Sequence, residues 1–273
     1  MAASDHRLVI LRSAVARARD DWTLSEDAVP EARPHRRRSS ELEQLLEGWA
    51  TRSGVPMQVG ANLAVRWDQE HPSIGVDPDV YVVSPPPPEG DEVTSLRLWE
   101  PGHAPPLLAI EVVGPSHPTK DYAIAPDKYA ASGTRELWVF DPELAGPRAY
   151  GGPFRLQIWC RDEQGSFVRV YAGPGPVRSG VVGGWLFAVD EGRRLRIADD
   201  RDGTSWWMTP TETERAAKEA ERRAKEAALA ATEAALALAE TERGAKEEER
   251  RAKEAALARV VELEAELARQ QRR

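Results

Sequence analysis

A chain of 273 residues can bury a substantial core, yet no run in it approaches the roughly 18 apolar residues needed to span a bilayer. Its net charge of −8 argues against a broad basic face for nucleic acid, although a cation held in an acidic site would reverse the sign locally. A single cysteine, Cys160, excludes an internal disulfide framework and points to a reducing cytoplasm; on a strand it reads as a small buried hydrophobe.

Residues 1–32 form an N-terminal extension whose "RLVILRSAVARARDD" is too Arg-studded for a secretory signal. Arg33, His35, Arg36, Arg37 and Arg38 make a local basic cluster. "SSELEQLLEGWA" (39–50) predicts a helix with a serine N-cap and Leu42, Leu45, Leu46 and Trp49 at helical spacing. Alternation in "MQVGANLAVRW" (57–67) predicts one strand with a solvated side. "DVYVV" (79–83) is a second, stopped by prolines, and "PPLLAIEVV" (105–113) a third, buried on both faces. A short helix over about 121–132 ends at Gly133, and "ELWVFDP" (136–142) is a fourth strand. "FRLQIWC" and "SFVRVYA" read as a hairpin, whereas "GPGPVRSG" and "VVGG" read as turns. This order gives an α/β or α+β fold, a mixed sheet with a helix packed against it, over residues 33–209.

Composition changes near Pro210. Residues 210–273 are almost wholly Ala, Glu, Lys, Arg and Leu, and "TERAAKEAERRAKEAALA" (213–230) returns 28 residues later with 16 of 18 positions identical. Twenty-eight is four heptads, so the segment is a long helix. Alanine at 217, 220, 224, 227, 231 and 234 leaves a weak coiled coil and a solvated single helix both open.

Two carboxylates stand out. Glu111 lies inside the third strand, where an uncompensated charge is costly unless a cation or donor meets it; the competing reading is a residue facing water at a sheet edge. Asp79 begins the preceding strand, and neighbouring strands would let the two converge as hard oxygen ligands for Mg²⁺ or Mn²⁺. Asp77, before Pro78, suits a turn. Asp121 and Asp127 read as helix-start residues, Tyr129 and Trp138 as core. His35, His71, His103 and His117 show no zinc spacing.

The string "DPDVYVV", "LLAIEVVGPS", "KDYAIAPDKYAASGTRELWVFDP" resembles the Uma-type restriction endonucleases of the PD-(D/E)XK nuclease superfamily, over about residues 33–172. "PHRRRSSELEQLL" matches the family's helix opened by a histidine, here His35. The resemblance implies a restriction-endonuclease-like central mixed sheet flanked by helices, with Asp79 and Glu111 holding a divalent metal and DNA as substrate. It also implies a lysine two residues after the glutamate or four beyond Asp121, where this chain has Val113 and Ala125. Lys128, a helical turn away, is the expected replacement, and Lys120 on a loop is a second candidate.

The expected function is therefore a divalent-metal-dependent endonuclease hydrolysing DNA, with Asp79, Glu111 and Lys128 at its site. The alternative is a catalytically impaired nuclease fold that binds nucleic acid or protein, oligomerised by its tail. A third reading makes the tail the working part and the sheet domain its head. A homodimer, possibly paired through the C-terminal helix, and a cytoplasmic location complete the expectations.

Overall fold

The structure is a computed structural model, and it describes residues 10–11, 22–24 and 32–270. Most of "RLVILRSAVARARDD" lies outside the described residues. The chain falls into two compact units, Met1–Thr211 and Glu212–Arg273.

The first unit is built on a seven-stranded mixed sheet in the order β1-β9-β8-β7-β6-β4-β2. Its strands are β1 (Ile10–Leu11), β2 (Gln58–Gly60), β4 (Val80–Val83), β6 (Leu108–Val112), β7 (Glu136–Phe140), β8 (Leu156–Arg161) and β9 (Phe167–Gly173). A separate parallel pair joins β3 (Ala64–Arg66) to β5 (Ser95–Arg97). Within the large sheet only β6 and β7 are parallel, Leu108 pairing with Glu136 and Val112 with Phe140. A parallel pair needs a crossover, and the segment between them supplies it: a π-helical turn (Lys120–Ile124) running into α2 (Ala125–Ser132). Gly133, at φ 84°, takes the left-handed conformation that ends α2.

The apolar runs of β4, β6 and β7 are buried along their whole length because both sheet faces are covered. Leu42, Leu45 and Leu46 of α1 (Arg33–Ser53) pack on one face against Val80, Val82, Ile110, Trp138 and Phe140. A three-stranded antiparallel sheet, β10 (Val177–Arg178), β11 (Trp185–Val189) and β12 (Arg194–Ala198), shares this layer through Leu186, Leu195 and Ile197. On the other face Ala125, Tyr129 and Ala130 of α2 meet Tyr81, Ala109, Val113, Leu137 and Val139. Each fully buried Leu, Ile or Phe contributes about 2 kcal/mol by leaving water.

Several boundaries differ from the sequence expectation. α1 starts at Arg33 because Pro34 suits a first helical turn. Neither Ser39 nor Ser40 is a cap: both lie inside the helix, where Ser39 Oγ donates to the His35 carbonyl at 3.2 Å. The strand expected over 57–67 is two strands, broken at Asn62, whose φ of 53° lies where asparagine is tolerated. The stretch read as turns over 173–184 holds a short strand, β10, at Val177–Arg178, and the sequence reading also missed β11 and β12 beyond it. In the N-terminal extension, Ile10–Leu11 adds an edge strand to β9, and Trp22 is buried edge-on to Trp67 with ring centroids 5.9 Å apart.

The second unit is helical. Its helix, α3 (Pro210–Gln270), exposes every side chain described from Arg215 to Arg269. Glu214–Lys218, Glu221–Lys225 and Glu249–Lys253 pair along its surface at 2.6, 2.6 and 2.7 Å, the i,i+4 order that supports a solvated helix. No helix among the described residues is long and apolar enough to cross a membrane.

Candidate active site

β4 runs antiparallel to β6, with Val80 opposite Ile110 and Val82 opposite Leu108. One more step in that register sets Asp79 opposite Glu111, both on the face covered by α2. The strands thus bring together the two carboxylates expected from sequence. Glu111 is almost fully buried, which removes the reading of a solvent-facing edge residue.

Each carboxylate is oriented by a neighbour. Asp79 Oδ2 accepts the Val112 N–H at 2.6 Å, and Asp79 Oδ1 lies 3.0 Å from His35 Nε2, in the first turns of α1. The Tyr129 hydroxyl donates to Glu111 Oε1 at 2.6 Å. That leaves Glu111 Oε2, which faces the Lys120 ammonium at 3.7 Å. Lys120 stands equally far from Asp121 Oδ1.

Asp121 stands at the helix start, as expected, in the first turn of the π-helical segment; its side chain is also 8 % exposed, close to Lys120, and its carboxylate accepts the Gly114 N–H. Its burial was the missing signal, since the π-helical turn that tucks it inward has no mark in the sequence. Asp77 lies close enough to feel Lys120, Arg66 and Lys128, and burial raises its carboxyl above the ordinary range. Lys128, favoured from sequence, is nearly buried on α2 and within electrostatic reach of Asp77. The ammonium placed against Glu111 is that of Lys120. Val113 and Ala125, at the places where the resemblance expects lysine, are core residues on the α2 face.

The electrostatics follow from burial. Glu111 is pushed up to about 8, chiefly by desolvation and further by Asp79 and Asp121, with Lys120 and the Tyr129 hydrogen bond opposing. Asp121 is pushed up to about 7 by desolvation and by Asp79, against Lys120. Glu111, with help from Asp121, Asp79 and Asp77, holds Lys120 protonated well above the usual lysine range. One lysine therefore faces several inward-turned carboxylates. Buried acidic groups that hold one another's protons, on hard oxygen donors, fit Mg²⁺ or Mn²⁺, whose charge would restore the carboxylate forms.

Two other clusters have different roles. Glu89, Glu100 and His103 bring ligand atoms within 4.8 Å of one another. His103 Nδ1, however, accepts the Arg97 N–H at 3.0 Å, so the ring proton sits on Nε2 and points at Glu89. No lone pair is left there for an ion. Glu136, buried, accepts from Trp138 Nε1 at 2.6 Å, from the Gly180 and Val181 amides at 2.9 and 3.1 Å, and from Ser179 Oγ. It ties the loop after β10 to the large sheet. Cys160 beside it is pushed up to about 12, first by burial and then by the Glu136 charge, so its thiol is inert.

A central mixed sheet that delivers an aspartate and a glutamate to the same end, under a crossover helix, defines a restriction-endonuclease-like domain. Residues 23–150 match the model of the Uma2 family, described as "putative restriction endonuclease", so the resemblance to the Uma-type family holds for this segment. A crystal structure of a putative nuclease from Anabaena variabilis is similar at 14 % identity and a TM-score of 0.39, over 57 % of this chain and 76 % of that one; this likeness is too slight to bear on the site. No curated protein matches the sequence.

Proposed function

We propose that the protein is a divalent-metal-dependent endonuclease that hydrolyses DNA phosphodiester bonds, with Asp79 and Glu111 holding Mg²⁺ or Mn²⁺. The observation that carries this is the antiparallel register that sets the two buried acidic side chains opposite each other. Bound there, the ion would supply Lewis-acid stabilisation of the phosphate and lower the pKa of a bound water.

The chain's own groups do the rest. His35 and the Val112 amide fix Asp79, and Tyr129 fixes Glu111 so that Oε2 is the ligand atom. Lys120, held protonated by the carboxylates, takes the lysine role of offsetting phosphate charge, and Lys128 is the comparison candidate. The rival reading, a nuclease fold kept for binding alone, draws on Val113 and Ala125 at the expected lysine places; the Lys120 ammonium, set near Glu111 from the π-helical turn, favours the catalytic reading.

Calorimetric titration with Mn²⁺ tests the cation assignment. Binding by the wild-type chain that disappears in Asp79→Asn and Glu111→Gln supports it, and equal binding by all three overturns it. A homodimer, paired through α3, is the form we propose for cutting both strands.

A further inference from the structure

The unit of residues 1–211 carries 23 of the 37 basic residues and 30 of the 45 acidic ones, counting Thr211 onward with the tail, and is acidic overall. One run of its basic residues is nevertheless concentrated in the first turns of α1. From Arg33 to Ser40 the chain holds four arginines and no carboxylate. Arg33, Arg36 and Arg37 are exposed and make no ion pair among the described residues. Glu41, the first carboxylate along α1, is taken up by Arg194 Nε at 2.6 Å.

A second element joins the patch. Arg38 Nε donates to the Arg193 carbonyl at 3.0 Å, and its Nη2 donates to Glu143 at 3.3 Å. Arg193 is 155 positions further along the chain, in the turn between β11 and β12, and its side chain is 71 % exposed, with a loose contact to Glu191 at 3.7 Å. The patch also has a fixed place. His35 lies 3.0 Å from Asp79, so the first turns of α1, which carry these exposed arginines, start at the candidate site.

We infer that Arg33, Arg36, Arg37 and Arg193 form the surface on which a DNA strand lays its phosphates next to the Asp79–Glu111 pair. Guanidinium groups suit the phosphate oxygens, since their planar donors can engage two oxygens at once. Contacts of this kind set the position of the duplex and carry no base sequence information. In an acidic domain, a local run of arginines steers DNA toward itself. The inference rests on the nuclease reading and adds where its substrate lies.

The test is fluorescence anisotropy of a labelled duplex with the full chain, from about 50 to 200 mM salt, with Ca²⁺ replacing Mg²⁺ to suppress cutting. Each lost phosphate contact lowers the salt slope by about 0.9, so the triple variant Arg33→Ala, Arg36→Ala, Arg37→Ala loses about 2.7. The loss is the same on two unrelated sequences. These side chains are exposed, so the variant folds, and unchanged Mn²⁺ affinity in the same preparation checks that. Wild-type slope and affinity in the triple variant overturn the inference alone. A wild-type chain that binds Mn²⁺ but no duplex at any salt overturns the DNA substrate with it.

Discussion

Tyr129 holds Glu111 by one oxygen: its hydroxyl donates to Oε1 at 2.6 Å and leaves Oε2 turned toward Lys120. α2 therefore aims the strand carboxylate as well as covering the sheet. In Tyr129→Phe the ring still fills the core, but Glu111 loses its orientation. Mn²⁺ affinity then falls about tenfold by calorimetry, the lower range for a residue that positions a ligand. Wild-type affinity in this variant would show that the strand alone orients Glu111.

The two lysines separate by experiment. Lys120 stands 3.7 Å from Glu111, whereas Lys128 lies on α2 within electrostatic reach of Asp77. Lys120→Met is expected to lower strand scission about a hundredfold or more, as loss of one charge-stabilising group does. Its Mn²⁺ affinity is retained, because no ligand is removed. Lys128→Met is expected to keep scission near wild type. The reverse ranking would return the lysine role to α2.

Burial makes the metal-free protein sensitive to pH. Glu111 has an ordinary value of 4.5 and sits at about 8 when folded, and Asp121 moves from 3.8 to about 7. The folded state thus holds these protons more tightly than the unfolded one. Their contribution is fully present below about pH 4 and is lost as pH rises toward 8, at about 1.4 kcal/mol per pH unit for each carboxylate that differs. Denaturant unfolding in a chelator should show stability falling from about pH 5 to 8, a shallower fall in Glu111→Gln, and recovery when Mg²⁺ is added. A flat profile in the chelator would mean that the carboxylates are compensated without an ion.

Glu136 is a structural carboxylate at the first position of β7. Removing it leaves Trp138 Nε1, Ser179 Oγ and two amides without their acceptor. Glu136→Ala should cost about 3 kcal/mol or more in unfolding free energy, since each buried donor left unmatched costs about 1–3 kcal/mol. Mn²⁺ affinity at low temperature should be unchanged, which separates this residue from the site.

The sheet was legible where the chain writes it as uninterrupted apolar runs. "VYVV", "LAIEV" and "ELWVF" can bury both faces only inside a covered sheet, and Glu111 stood out against that background. What the sequence hid was conformational. Asn62 breaks an alternating segment by taking a left-handed turn, and a π-helical turn ahead of α2 buries Asp121 and sets the exposed Lys120 near Glu111. That turn holds Lys120 3.7 Å from Glu111, whereas Lys128 lies on α2 within electrostatic reach of Asp77. β11 and β12 were overlooked because "WLFAV" and "RLRIA" follow a stretch rich in glycine and proline that reads as turns.

Plasmid cleavage in Mg²⁺ or Mn²⁺, by the wild-type chain and by Glu111→Ala side by side, tests the account most directly. It predicts scission that requires the metal and vanishes in the variant. Equal cutting by both proteins, or none by a wild-type chain shown to bind both metal and duplex, would contradict it.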